Sequence, residues 1–110
     1  EKQSGNIVVI GETASLRGGA QSTAFASAKA AQRSLAQSMA RDLGPKGIHV
    51  GYVIIDGIID LERTRARMSD KPDEFFMRPN AIAKSVFNLT QQDRSAWTFE
   101  LDLRPFGERW

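Results

Sequence analysis

The chain has 110 residues, of which 41% are hydrophobic and 25% charged, the balance of one globular domain and not of a disordered segment. Fifteen Lys and Arg against thirteen Asp and Glu leave a net charge of +2, which is not the surface of a dedicated nucleic-acid binder. Cysteine is absent, which excludes disulfides, thiolate metal sites and Cys nucleophiles; with no apolar run of membrane-spanning length and no signal-peptide core in residues 1–6, the expectation is a soluble, cytoplasmic protein with no membrane partner.

Ile7-Val8-Val9-Ile10, closed by Gly11, is a β-branched run suited to a strand buried on both faces of a parallel sheet. A Gly/Ala/Ser/Thr-rich loop runs from Glu12 to Gln21. From Ser22 to Leu43 there is no Pro and no Gly, and Ala24, Ala28, Ala31, Leu35, Met39 and Leu43 recur at helical spacing, which predicts one inward apolar face. Gly44-Pro45 ends this helix. His49–Ile55 reads as the second strand, stopped by Asp56-Gly57. Ile58–Met77 is a variable stretch with a short helix around Leu61–Met68, broken at Lys71-Pro72. Pro79-Asn80 opens a helix to about Gln92, with Ile82, Val86 and Leu89 on one face. Ala96–Leu103 alternates apolar and polar residues, as a half-exposed strand does.

Strands alternating with helices imply parallel pairing through right-handed crossovers. The predicted fold class is α/β: a three-stranded, mostly parallel sheet with flanking helices, in a single domain spanning residues 1–110. The last strand reads as an edge. The first reads as central, yet nothing before it covers its free side, so a homo-oligomer or a partner chain is expected on that edge.

Thr23-Ala24-Phe25-Ala26-Ser27-Ala28-Lys29-Ala30-Ala31, Leu35-Ala36 and Gly44-Pro45-Lys46-Gly47-Ile48-His49-Val50 resemble the C-terminal half of the short-chain dehydrogenases/reductases. The resemblance covers strand five to strand seven of that family's Rossmann sheet, more loosely over the last thirty residues. It implies a partial Rossmann fold, an NAD- or NADP-dependent oxidoreductase ancestry, and a subunit interface on the first helix, whose Ala20, Ala24, Ser27, Ala31 and Ser34 allow close approach. Against the family's pattern stand four departures. The family's acid/base Tyr falls at Phe25, which carries no exchangeable proton. Its partner Ser falls at Glu12, with Thr13 and Ser15 the nearest hydroxyls. Lys29 is kept, the residue that contacts the nicotinamide ribose in the family. Strands one to four and the glycine-rich phosphate turn have no counterpart, and Gly11, Gly18 and Gly19 lack its spacing. The family's Pro-Gly after strand six, which helps place the nicotinamide, is met by Asp56-Gly57.

These departures set the expectations for function. The chain alone is expected to hold no cofactor and to catalyse nothing, with Lys29, Asp56 and Gly57 as vestiges of a cofactor site and Glu12, Phe25 and Lys29 as its catalytic positions. The alternative is a non-catalytic, self-assembling interaction module. The plain role for Lys29 is an ion pair with Glu12 or a solvated helix position. Glu12, Asp56 and Asp60 could gather into a cation site beyond the strand ends, but no His or supporting pattern accompanies them, and no metal is expected. His49 is expected at the surface. Arg63, Arg65, Arg67 and Arg78, interrupted by acids, read as a solvated face rather than a phosphate site. Phe75-Phe76-Met77 is expected to pack on the sheet or on a partner.

Overall fold

The computed structural model describes residues 4–110. Its elements are β1 (Gly5–Glu12), α1 (Thr23–Leu43), β2 (Ile48–Ile55), β3 (Ile58–Ile59), α2 (Glu62–Arg67), β4 (Phe76–Met77), α3 (Pro79–Thr90) and β5 (Glu100–Leu103). β2 pairs in parallel with β1 on one side and β5 on the other, which gives an α/β fold with sheet order β1-β2-β5. β3 and β4 form a separate two-residue parallel ribbon.

The central position belongs to β2 and not to β1. Its residues His49 to Ile55 are all buried, whereas Ile7, Val8 and Val9 are half-buried and Ile10 is 46% exposed. The reason is pairing: among the described residues β1 has a neighbour on one edge only. β5 is the other edge, as its alternation predicts, but it starts at Glu100 rather than Ala96. The Gln92 side chain holds Thr98 by two bonds of 2.8 Å, which keeps the preceding residues in a loop.

Two apolar layers cover the sheet. On one face Val53 and Ile55 pack with Met77 and Leu89, with Ile82 and Val86 beside them, so the predicted inner stripe of α3 is present. Phe76 and Met77 are buried by the ribbon that closes the variable stretch. On the other face Ala36 packs with Tyr52 and Ile54, flanked by Val9 and Phe99.

α1 turns a different seam inward from the one its periodicity suggests. Ala24, Ala28, Ala31 and Leu35 are exposed, Leu35 at 62%, while Ala26 and Ala36 are buried. Alanine recurs on more than one face of this helix, so apolar spacing alone does not choose between them. The choice is made by polar contacts, since Gln32 bonds Tyr52 and Arg33 pairs with Glu100 across the sheet. Gly47 has φ +90°, a left-handed conformation that closes the turn from α1 into β2 and favours glycine.

His49 is 3% exposed, not at the surface. Its ring stacks on Trp97 with centroids 4.7 Å apart, and its Nε2 donates to the Thr98 carbonyl at 2.7 Å. The loop before β5 folds over the start of β2 and buries it. No helix among the described residues is long and apolar enough to cross a membrane.

Candidate functional site

The strand register brings the three carboxyl ends level: Glu12 lies beside Ile55, and Ile55 beside Leu103. The next residue of each chain segment is therefore Thr13, Asp56 and Arg104, and these three bond in a row. Thr13 Oγ1 donates to Asp56 Oδ1 at 2.7 Å, and Arg104 Nε donates to Asp56 Oδ2 at 3.1 Å. Arg104 also reaches Asp102 at 3.0 Å, and the Trp110 ring lies 4.0 Å from its guanidinium carbon. The Thr13 hydroxyl holds the Asp56 carboxyl below the usual carboxylate range; burial opposes this, and Arg104 adds to it. Asp56 is thus an ionised structural group with both oxygens engaged. Gly57 packs against Pro105 and Met77, where a Cβ would come within 2.7 Å of the proline ring.

A second polar chain lies beneath the loop after β1. Lys29 Nζ donates to Gln32 Oε1 at 3.2 Å, and the Tyr52 hydroxyl donates to the same oxygen at 3.2 Å. Tyr52 Oη lies 2.6 Å from Ser15 Oγ, which accepts from the Glu12 backbone N–H at 3.1 Å. Tyr52 is fully buried, and Ser15 nearly so. Ser15 also lines a cleft of about 420 Å³ between residues 14–19 and the first turns of α1.

The sequence-derived candidates are only partly brought together. Phe25 is 50% exposed on α1, one turn before Lys29. The Lys29–Glu12 ion pair does not form; the ammonium bonds Gln32 instead, because the carbonyl is one helical turn away. Glu12, Asp56 and Asp60 do not converge. Asp60 is held by Arg65 at 2.7 Å, and Arg65 also pairs with Asp73 at 2.6 Å while its guanidinium lies over Phe76. Among the described residues no group of three or more acidic or His side chains is placed to hold a metal ion. Arg65 therefore belongs to an internal clasp, whereas Arg63, Arg67 and Arg78 are exposed.

Tyr52, Gln32 and Arg104 were not among the sequence-derived candidates. Tyr52 had a signal: it is the only tyrosine, set inside a strand that is apolar but for His49, and a buried phenol needs a hydrogen-bond partner. Gln32 and Arg104 had none, because strand register is what makes them neighbours.

The Lys29 ammonium keeps two N–H groups beyond its bond to Gln32, enough to meet a ribose hydroxyl. No tight strand-turn-helix phosphate loop follows β1, since a 3-10 turn (Thr13–Ser15) and residues 16–22 separate it from α1.

A parallel sheet with polar groups gathered beyond the carboxyl ends of its strands is the arrangement of open α/β folds of the dinucleotide-binding type. The model of the short chain dehydrogenase family matches residues 1–72, and the chain belongs to that family. It is 44% identical to a short-chain dehydrogenase from Rhodopseudomonas palustris, with a TM-score of 0.72 over 94% of this chain and 40% of that one. Two others share the fold alone. An NADPH-bound short chain oxidoreductase from Pseudomonas aeruginosa, described as containing an atypical catalytic center, is 19% identical with a TM-score of 0.75 over 96% of this chain and 46% of that one. An alcohol dehydrogenase from the archaeon Thermococcus sibiricus, complexed with 5-hydroxy-NADP, is 20% identical with a TM-score of 0.72 over 94% and 43%. No curated protein matches. The chain spans less than half the length of each of these solved structures.

Proposed function

We propose that residues 1–110 form one domain of short-chain dehydrogenase type that neither holds NAD(P) nor reduces a carbonyl by itself. The observation that carries this reading is the Phe25–Lys29 pair. The lysine that would meet a ribose is present, but the side chain one turn before it has no proton to give. Glu12 at the neighbouring strand end offers a carboxylate where the family pattern has a hydroxyl. Lys29 and the Asp56-Gly57 turn are the remnant of a nicotinamide-ribose site. Asp56 is committed to Thr13 and Arg104, which leaves Lys29 as its main free donor. The lack of cysteine fits residence in the cytoplasm.

A second reading, a self-assembling interaction module, is favoured by one observation. Among the described residues the outer edge of β1 has no neighbour, and the strand carries no Pro and no charge before its last residue, Glu12, where Pro or charge is the usual protection of an edge strand; the Ala24–Leu35 seam of α1 is exposed as well.

Titration with NADPH, followed by quenching of Trp97 and Trp110 fluorescence, tests the first reading. The expected result is no saturable change up to millimolar cofactor. Saturation at micromolar NADPH would overturn it.

A further inference from the structure

A cleft of about 680 Å³ lies between β4, the start of α3 and the residues that follow β5. Its floor is apolar: Phe76 and Met77 are buried, Ile82 and Leu103 half-buried. A second cleft, of about 450 Å³, shares a wall with it, since Glu74, Pro105 and Phe106 line both. A carboxylate and an aromatic ring therefore stand together on that wall. Phe106 is 91% exposed, and Glu74 has no hydrogen-bond or ion-pair partner among the described residues.

The rings around this wall already carry cations. Arg65 lies 4.2 Å from the Phe76 centroid, Lys71 Nζ 5.2 Å from that of Phe75, and Arg104 4.0 Å from that of Trp110. Phe106 carries none among the described residues. Charge points the same way. Arg65 is shared by Asp60 and Asp73, and Arg104 by Asp56 and Asp102, so each guanidinium faces two carboxylates, and Glu74 adds a fifth. The opposing group is Arg78, an exposed base at the start of α3 with no acid partner among the described residues. The cleft and its ion pairs are thus net negative, in a chain whose total charge is +2. We propose that this cleft binds a small organic ammonium, with the charged group over Phe106 beside Glu74 and the apolar body on Met77, Ile82 and Leu103. The ring face attracts a cation through its quadrupole, and the carboxylate adds a Coulomb attraction. The cleft volume falls in the range of small-molecule sites, about 300–1,000 Å³. The inference goes beyond the proposed function, because it needs neither a dinucleotide nor a proton donor.

The test titrates cyclohexylmethylammonium, cyclohexylmethanol and cyclohexanecarboxylate into the full chain at low salt, followed by amide chemical shifts of residues 73–78 and 103–107. The three share an aliphatic body that cannot stack on Phe106, and they differ in charge. The ammonium should bind about five- to ten-fold more tightly than the alcohol, and the carboxylate more weakly than either. Phe106→Leu keeps apolar bulk but removes the quadrupole, and should lower the ammonium-to-alcohol ratio about three-fold. Glu74→Gln should lower it by a similar factor, whereas Arg78→Gln should raise it about two-fold. All three positions are exposed, so the variants keep the fold. No saturable shift with the ammonium, alcohol or carboxylate binding as tight as the ammonium, or a ratio unmoved by Phe106→Leu or by Glu74→Gln would each overturn the proposal.

Discussion

A Cβ built on Gly11 would stand 2.1 Å from the Tyr52 hydroxyl oxygen and 2.3 Å and 2.6 Å from two carbons of its ring. The phenol lies across β1 because that strand has no side chain there, and only this crossing lets it reach Ser15. Gly11→Ala is therefore expected to destabilise the fold by about 1–3 kcal/mol through overpacking. Adding Tyr52→Phe should not rescue it, since the ring carbons remain in the way. Urea denaturation of both variants checks this. An unchanged midpoint in Gly11→Ala would contradict the packing described.

The Thr13–Asp56 bond predicts a pH dependence. The folded carboxyl of Asp56 is held below its ordinary range, chiefly by the Thr13 hydroxyl, against burial and with help from Arg104. A lowered folded value means stability that is present above the unfolded carboxylate range, near about 3.9, and lost as pH falls through the folded value. Thr13→Val removes the largest contributor. The variant should be less stable at pH 7 by about 1.5–3 kcal/mol, the worth of a hydrogen bond to a charged group. The gap should narrow as pH drops below 4. Denaturation midpoints at pH 7, 5 and 3 measure it; a gap that stays constant down to pH 3 would remove Asp56 ionisation from the account.

How much of this was readable in the sequence depends on whether a feature is local. The helix from Thr23 to Leu43 and the stop at Gly44-Pro45 are local, and both follow from composition. The Phe25–Lys29 spacing is local as well. The inward face of α1 is not, because alanines recur on several of its sides and the decision rests on Gln32 and Arg33 meeting strands far along the chain. The Thr13–Asp56–Arg104 row depends entirely on parallel register, which sets residues 43 and 48 positions apart side by side. His49 misled for a related reason. In a strand buried on both faces no alternation separates inside from outside, so a polar residue at its start reads as exposed.

His49 offers a prediction in which two effects compete. Its Nε2–H bonds the Thr98 carbonyl, while Nδ1 is buried with no hydrogen-bond partner. His49→Phe loses the bond, a cost of about 0.5–1.5 kcal/mol, but also removes an unsatisfied acceptor that costs about 1–3 kcal/mol. It keeps a ring against Trp97. The expected outcome is a stability within about 1 kcal/mol of the parent chain. His49→Ala removes the stacked ring as well and should cost about 2–4 kcal/mol. Thermal melts followed by Trp fluorescence compare the two, and equal losses in both would rule out the stacking contribution.

Ile10 and Leu35 separate the two surfaces on which the chain could assemble. Ile10 lies on β1, whose outer edge is unpaired among the described residues, and is 46% exposed; Leu35 lies on the outward seam of α1 and is 62% exposed. A lysine on an edge strand discourages pairing with another strand, whereas a charge on the helix seam blocks close packing of helices. Neither side chain is buried, so Ile10→Lys and Leu35→Glu should each leave monomer stability within about 0.5 kcal/mol. If copies join through the strand edge, Ile10→Lys should halve the mass seen by light scattering after gel filtration and Leu35→Glu should not. If the helix seam joins them, the pattern reverses. A parent chain that stays monomeric at millimolar concentration would leave both surfaces without a self-association role and sink the interaction-module reading.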